Sequence, residues 1–129
     1  MRSADAHVMA RQRILSASVL LVGLGASNAG IAAEKPVRFW NLTSATVTEL
    51  RLAPAGSDKF GRDQCKNDKD GSVDHDERLP MTGVTPGRYD IKIGYKGGKS
   101  CRVANVSIES GKVFSIEDKD LTDCSTITR

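Results

Sequence analysis

Histidine is scarce in this chain. Only His7 and His75 occur among 129 residues, and His7 falls in an N-terminal segment expected to be removed. With one imidazole left and no paired reactive cysteine beside it, a nucleophile–base relay has nothing to be built from. His75 lies inside an acidic run and is expected to be a solvated loop residue, so no enzymatic activity is expected. Charge of one sign is lacking too. The 19 Lys and Arg against 16 Asp and Glu give a net of +3, and the positive residues are scattered. That pattern argues against a nucleic-acid partner. Long apolar runs are missing: "ILSASVLLVGLGA" (14–26) is short of the ~20 residues that span a bilayer as a helix, so no membrane anchor is expected. There is no internal repeat, no low-complexity linker and no helical period.

What the short run does fit is a secretory signal peptide. Arg2, Arg11 and Arg13 precede it and the small residues "SNAGIAA" (27–33) follow it. There is no twin-arginine pair, and no cysteine just after the run to accept a lipid. Cleavage is expected after Ala32 or Ala33, giving a soluble product in the periplasm. Residues 34–129 are enough for one domain with one modest core. Losing the three arginines and Asp5 leaves that remainder close to neutral.

All three cysteines, Cys65, Cys101 and Cys124, fall in the retained part. Export makes one disulfide the expectation, with one thiol left over. A hairpin around "ESGK" (109–112) would set Cys101 across from Asp120 and close to Cys124. This favours Cys101–Cys124 over Cys65–Cys124, with Cys65 buried as a small apolar side chain.

Strand signals fill the rest. "VRFWNLT" (37–43) and "TVTELRLAP" (46–54) are rich in β-branched and aromatic residues. In "GRYDIKIGY" (87–95) Tyr89, Ile91, Ile93 and Tyr95 alternate with polar or small residues, which puts the large groups on one face. "CRVANVSI" and "KVFSIED" follow, and "TPGR" and "KGGK" are turn signals. The expectation is an all-β fold: a small antiparallel two-sheet sandwich, immunoglobulin-like or transthyretin-like, of about six or seven strands. Tyr89, Ile91, Ile93 and Phe114 are expected inside, and Trp40 is expected to be a core aromatic of the first strand.

Four short patterns occur in order: Asn41 to Thr43, Leu52 to Gly56, Phe60 to Asp63, and Pro86 to Asp90. Together, over roughly residues 37–116, they resemble a group of small exported bacterial β-domain proteins. The resemblance implies an exported location and a sandwich fold, and it implies no catalytic residue. In that group a short Gly-containing linker joins Asp63 to the Pro-Gly turn. Here an acidic segment, 63–77, takes its place.

That segment carries Asp63, Asp68, Asp70, Asp74, Asp76 and Glu77 against Lys66 and Lys69. Such crowding is self-repelling, and a bound cation would relieve it. The spacing is that of a calcium loop with one fault. With Gly71 at position 6 of a twelve-residue loop, Asp68, Asp70, the Ser72 carbonyl, Asp74 and Glu77 fall at ligand positions 3, 5, 7, 9 and 12, and Val73 at 8. Position 1 is Lys66, and Gly61 and Pro80 rule out flanking helices, so this is no EF-hand. A cation loop between strands would draw on Asn67, Asp68, Asp70, Ser72, Asp74, Asp76 and Glu77, with Asn67, Asp63 or Asp76 as the replacement ligand. Oxygen donors select a hard ion, calcium by default or a trivalent lanthanide of similar size.

Two functions follow as expectations. One is a periplasmic hard-cation-binding protein that buffers an ion or passes it to another periplasmic protein. The other is an exported interaction or envelope module that recognises a protein or polymer through a sheet face or edge, its acidic loop being a solvated turn.

Overall fold

In the computed structural model, which describes residues 35–126, the alternation in Gly87–Tyr95 is realised as one strand of a two-sheet β-sandwich. The expected signal peptide and its cleavage site lie outside the described residues. Seven strands are present among them: β1 (Arg38–Leu42), β2 (Val47–Pro54), β3 (Arg78–Pro80), β4 (Gly87–Tyr95), β5 (Lys99–Ile108), β6 (Val113–Glu117) and β7 (Thr122–Thr126). One sheet has the order β3-β1-β6, the other β2-β4-β5-β7. No helix among the described residues is long and apolar enough to cross a membrane.

The apolar faces of the two sheets meet in one core. Ile91 and Ile93 of β4 are fully enclosed, Tyr95 is nearly so, and Tyr89 is half-buried where the strand opens. Leu50 and Val47 of β2 join them from the same sheet. From the other sheet come Phe39, Ile116 and Phe114, with Phe39 and Phe114 packed ring to ring at 5.6 Å. Each enclosed side chain of this size contributes roughly 1.5–3 kcal/mol relative to exposure.

Three expectations need correction. The sandwich is not antiparallel throughout, because β1 and β6 pair in parallel, Phe39 opposite Phe114. The cause is the Glu109–Lys112 turn: the chain does turn there, with Lys112 N–H donating to Glu109 C=O at 3.2 Å, but β5 and β6 belong to different sheets. The expected hairpin is a crossover between layers, and it delivers β6 beside β1 running the same way. Second, Trp40 is no core residue. Neighbouring side chains on a strand point to opposite faces, so enclosing Phe39 turns the Trp40 ring outward, under the Arg78 guanidinium at 4.0 Å. Third, β3 and β7 carried no strand signal: β3 has three residues and β7 no buried one.

The Cys101–Cys124 disulfide is formed, by a different route from the expected hairpin. β7 pairs with β5, with Ser100 opposite Ser125 and Arg102 opposite Thr122, which brings the two cysteines together. Cys65 is free and fully buried, as expected.

Candidate functional site

The acidic segment runs between the free edge of β2 and the strands β1 and β3 of the other sheet. An exposed edge strand presents unpaired N–H and C=O groups, and the segment satisfies them in turn. Just before the segment Gly61 N–H donates to Leu52 C=O at 2.9 Å, and at its start Leu50 N–H donates to Asp63 Oδ1 at 3.0 Å. Val73 exchanges both main-chain hydrogen bonds with Val47, at 2.8 and 2.9 Å, and its side chain is fully buried. On the far side, Asp76 N–H donates to Asn41 C=O at 2.7 Å and Asn41 N–H to Glu77 C=O at 3.0 Å. The segment is therefore a seam that closes one flank of the sandwich.

Its carboxylates serve that geometry one by one. Asp63 caps a short 3₁₀ turn, Gln64–Asn67, by also accepting from Cys65 N–H at 3.0 Å. Asp68 accepts from Asp70 N–H at 2.8 Å, an Asx turn that leads into Gly71 at φ 73°, a conformation that favours glycine. Asp74 accepts from the Thr46 hydroxyl at 2.9 Å, and Glu77 accepts from Asp74 N–H at 2.7 Å. Asp76, itself at φ 69°, accepts from the Trp40 indole N–H at 2.9 Å. Asn67 donates to the Gln64 side chain at 2.9 Å and to Pro80 C=O at 2.8 Å. Asp70 and Ser72 lie at the tip, where Asp70 is exposed.

The expected ligands thus share one segment, but most are turned to separate donors. Among the described residues, no group of three or more His, Cys, Asp or Glu side chains gathers where one ion could be held. None of the six carboxylates forms an ion pair with a described residue either; the pairs lie elsewhere, at Glu49, Asp58, Glu109 and Glu117. His75 is exposed, with Nδ1 2.8 Å from Thr43 C=O. Burial pushes the Cys65 thiol up to about 12, with nearby Asp63 adding to the shift. It is not a nucleophile at neutral pH.

The residue that organises the seam is Asn41, fully buried in β1. Its Nδ2 donates to Ala45 C=O and Val73 C=O, both at 2.9 Å, while Oδ1 accepts from Thr43 N–H at 3.0 Å and the Thr43 hydroxyl at 2.6 Å. Composition alone gives no sign of this role. The Asn-x-Thr pattern marks the position without saying that its amide reaches a loop some thirty residues away. No family model matches this chain, and no curated protein or solved structure does so.

Proposed function

We propose that this chain is a non-enzymatic interaction module of the periplasm, which binds a protein or polymer through exposed sheet surface. The observation that carries the reading is the seam. Asp63, Asp68, Asp74, Asp76 and Glu77 each hold a different donor of the fold, so the acidic segment has a structural occupation and recognition falls to the sheets. The N-terminal pattern, the disulfide and the resemblance to exported β-domain proteins support the location.

A second reading, a calcium- or lanthanide-binding loop, is favoured by one specific observation. No carboxylate of the segment forms an ion pair with a described residue, and a hard cation at the Asp68–Asp70–Ser72 tip would supply a counter-charge, with Asn67, Asp74, Asp76 and Glu77 turning inward to complete its shell. Calorimetric titration with calcium and lanthanum separates the two, on wild type and on the Asp68→Asn/Asp70→Asn variant. The module reading expects weak, salt-sensitive binding, equal in both proteins. Saturable one-site binding in wild type that the variant loses would overturn it and establish the cation loop.

A further inference from the structure

The outer face of the four-stranded sheet carries a row of like charges. Strand register sets Arg51 of β2 opposite Lys92 of β4, and Lys92 opposite Arg102 of β5. Cations directly opposite one another destabilise a sheet, so their alignment asks for a compensating anion. Glu49 answers for the first pair, lying 2.8 Å from Arg51 Nε and 3.8 Å from Lys92 Nζ. Arg102 is answered less well. Its carboxylate neighbour Asp58 is 3.6 Å away with 91% of its side chain in solvent, and exposed pairs of that kind hold weakly. The Arg102 guanidinium also lies 5.2 Å from the centre of the Phe60 ring.

A cleft of about 260 Å³ opens at this point, lined by Phe60, Lys92, Ser100, Arg102, Asp123 and Ser125 together with the disulfide-bonded Cys101. Its chemistry is mixed in a specific way. Arg102, loosely held by Asp58, and Lys92, 3.8 Å from Glu49, come from neighbouring strands and suit a carboxylate, an aromatic ring offers a face for an apolar C–H surface, and two hydroxyls with the Asp123 carboxylate suit a ligand bearing several hydroxyl groups. The volume is below the ~300–1,000 Å³ of sites that enclose a drug-sized ligand, so it accommodates a single ring. The disulfide from Cys101 to Cys124 fixes β7 against β5 here, which holds Asp123 and Ser125 in place before any ligand arrives.

We infer that this cleft binds one acidic sugar unit of an envelope polysaccharide, its carboxylate between Lys92 and Arg102 and its ring against Phe60. Asp58 is the weakly held group the sugar carboxylate displaces from Arg102, and Asp123 accepts from ring hydroxyls. This inference rests on the module reading and gives that module its ligand class.

The test is titration of the full exported chain with a galacturonic acid trimer, in chelator, read by calorimetry and by amide shifts in two-dimensional NMR. Shifts are expected at Ser100, Arg102, Asp123 and Ser125. Lys92→Gln and Arg102→Gln should each weaken binding at least about tenfold, as expected for losing a charged hydrogen bond. Phe60→Ala should weaken it too, and Lys112→Gln, outside the cleft, should not. Because the wild-type shift map needs no variant, a misfolded mutant does not decide the matter. Absence of saturable binding, or shifts clustered elsewhere, would overturn the inference. So would equal binding of the trimer's methyl ester, of sulfate, or of polyglutamate, which offers carboxylates without a ring face. The cation titration fails or succeeds independently: a lost sugar site leaves the module reading standing, whereas a saturable cation site in a chain that binds no sugar removes it.

Discussion

Asn41 Nδ2 lies 2.9 Å from the carbonyl oxygen of Val73, and this bond fastens the acidic segment to the first strand. The same amide holds Ala45 C=O, and its oxygen takes both Thr43 donors, so all four hydrogen-bonding positions of the side chain are filled in a fully buried place. Asn41→Ala leaves the buried Thr43 N–H without its acceptor and takes one hydrogen bond each from Val73 C=O, Ala45 C=O and the Thr43 hydroxyl. The expected loss is about 2–4 kcal/mol in urea unfolding, with faster hydrogen exchange at the Val73 and Asp76 amides. A variant as stable as wild type, with unchanged exchange at those amides, would show that the segment holds itself in place.

The core makes a second, independent demand. Ile91 is fully enclosed between the sheets and pairs with Leu52 on one side and Val103 on the other. Ile91→Ala should lower stability by ~2–5 kcal/mol through lost burial and the cavity left behind. Val113→Ala, at the exposed large apolar position of β6, should change it far less. Similar losses at both positions would mean that β6 buries its outer face against something in solution.

How much of this was legible follows from the range of each interaction. The alternation of Tyr89, Ile91, Ile93 and Tyr95 is written in consecutive residues, and it places β4 and the core correctly except at Tyr89, which is expected inside but is only half-buried where the strand opens. Cys101–Cys124 forms although the expected hairpin does not exist, because β7 returns to pair with β5 after β6 has left for the other sheet. Sheet membership was hidden: nothing local in "ESGKV" says that β6 leaves its predecessor for β1. The seam was hidden for the same reason, since the partners of Asp63, Asp76 and Val73 are Leu50, Trp40 and Val47, and an acidic composition does not say whether carboxylates face an ion or a main-chain N–H. The Arg51–Lys92–Arg102 row exists only once the register is known.

Acid should act through Asp90. Its carboxylate accepts from Asn105 N–H at 2.9 Å and Gly56 N–H at 3.0 Å, and these bonds, the Asn105 one first, hold it below the usual carboxylate range. A folded-state value below the unfolded one means that the stabilisation is complete above the ordinary value of about 3.9 and is lost as pH falls through the folded value. Asp118, held down by Ser44 N–H, adds to the same slope. Asp90→Asn should therefore flatten the fall of stability with pH below about 4, measured by urea midpoints at stepped pH. An unchanged slope would place the acid sensitivity in other carboxylates.

The cysteines give a chemical readout. Intact mass of the exported chain should show one disulfide, and iodoacetamide at pH 8 should leave the remaining thiol untouched until denaturant is added, because Cys65 is buried and its thiol is pushed up to about 12. Reduction should release β7, whose side chains are all exposed, and lower stability by ~3 kcal/mol for a loop of this length in the chain-entropy description. Ready alkylation of Cys65 in the folded protein would contradict its enclosure.

Trp40 is the single tryptophan of the chain, and its indole N–H donates to Asp76 Oδ1 at 2.9 Å. Its fluorescence therefore reports whether the seam is docked. Asp76 is also at φ 69°, where aspartate, asparagine and glycine are tolerated and β-branched residues are strained. Three substitutions separate the two roles. Asp76→Asn keeps both an acceptor oxygen and the backbone conformation, so emission and stability should stay near wild type. Asp76→Gly keeps the conformation and loses the acceptor, so emission should shift with little change in stability. Asp76→Val loses both, and the backbone strain alone should cost about 1–3 kcal/mol. The same signal tests the cation reading from another side. An ion that draws Asp76 Oδ1 into its shell breaks the indole bond, so saturating calcium or lanthanum would then shift wild-type emission toward that of the glycine variant. If the seam is the segment's occupation, the emission stays where it is.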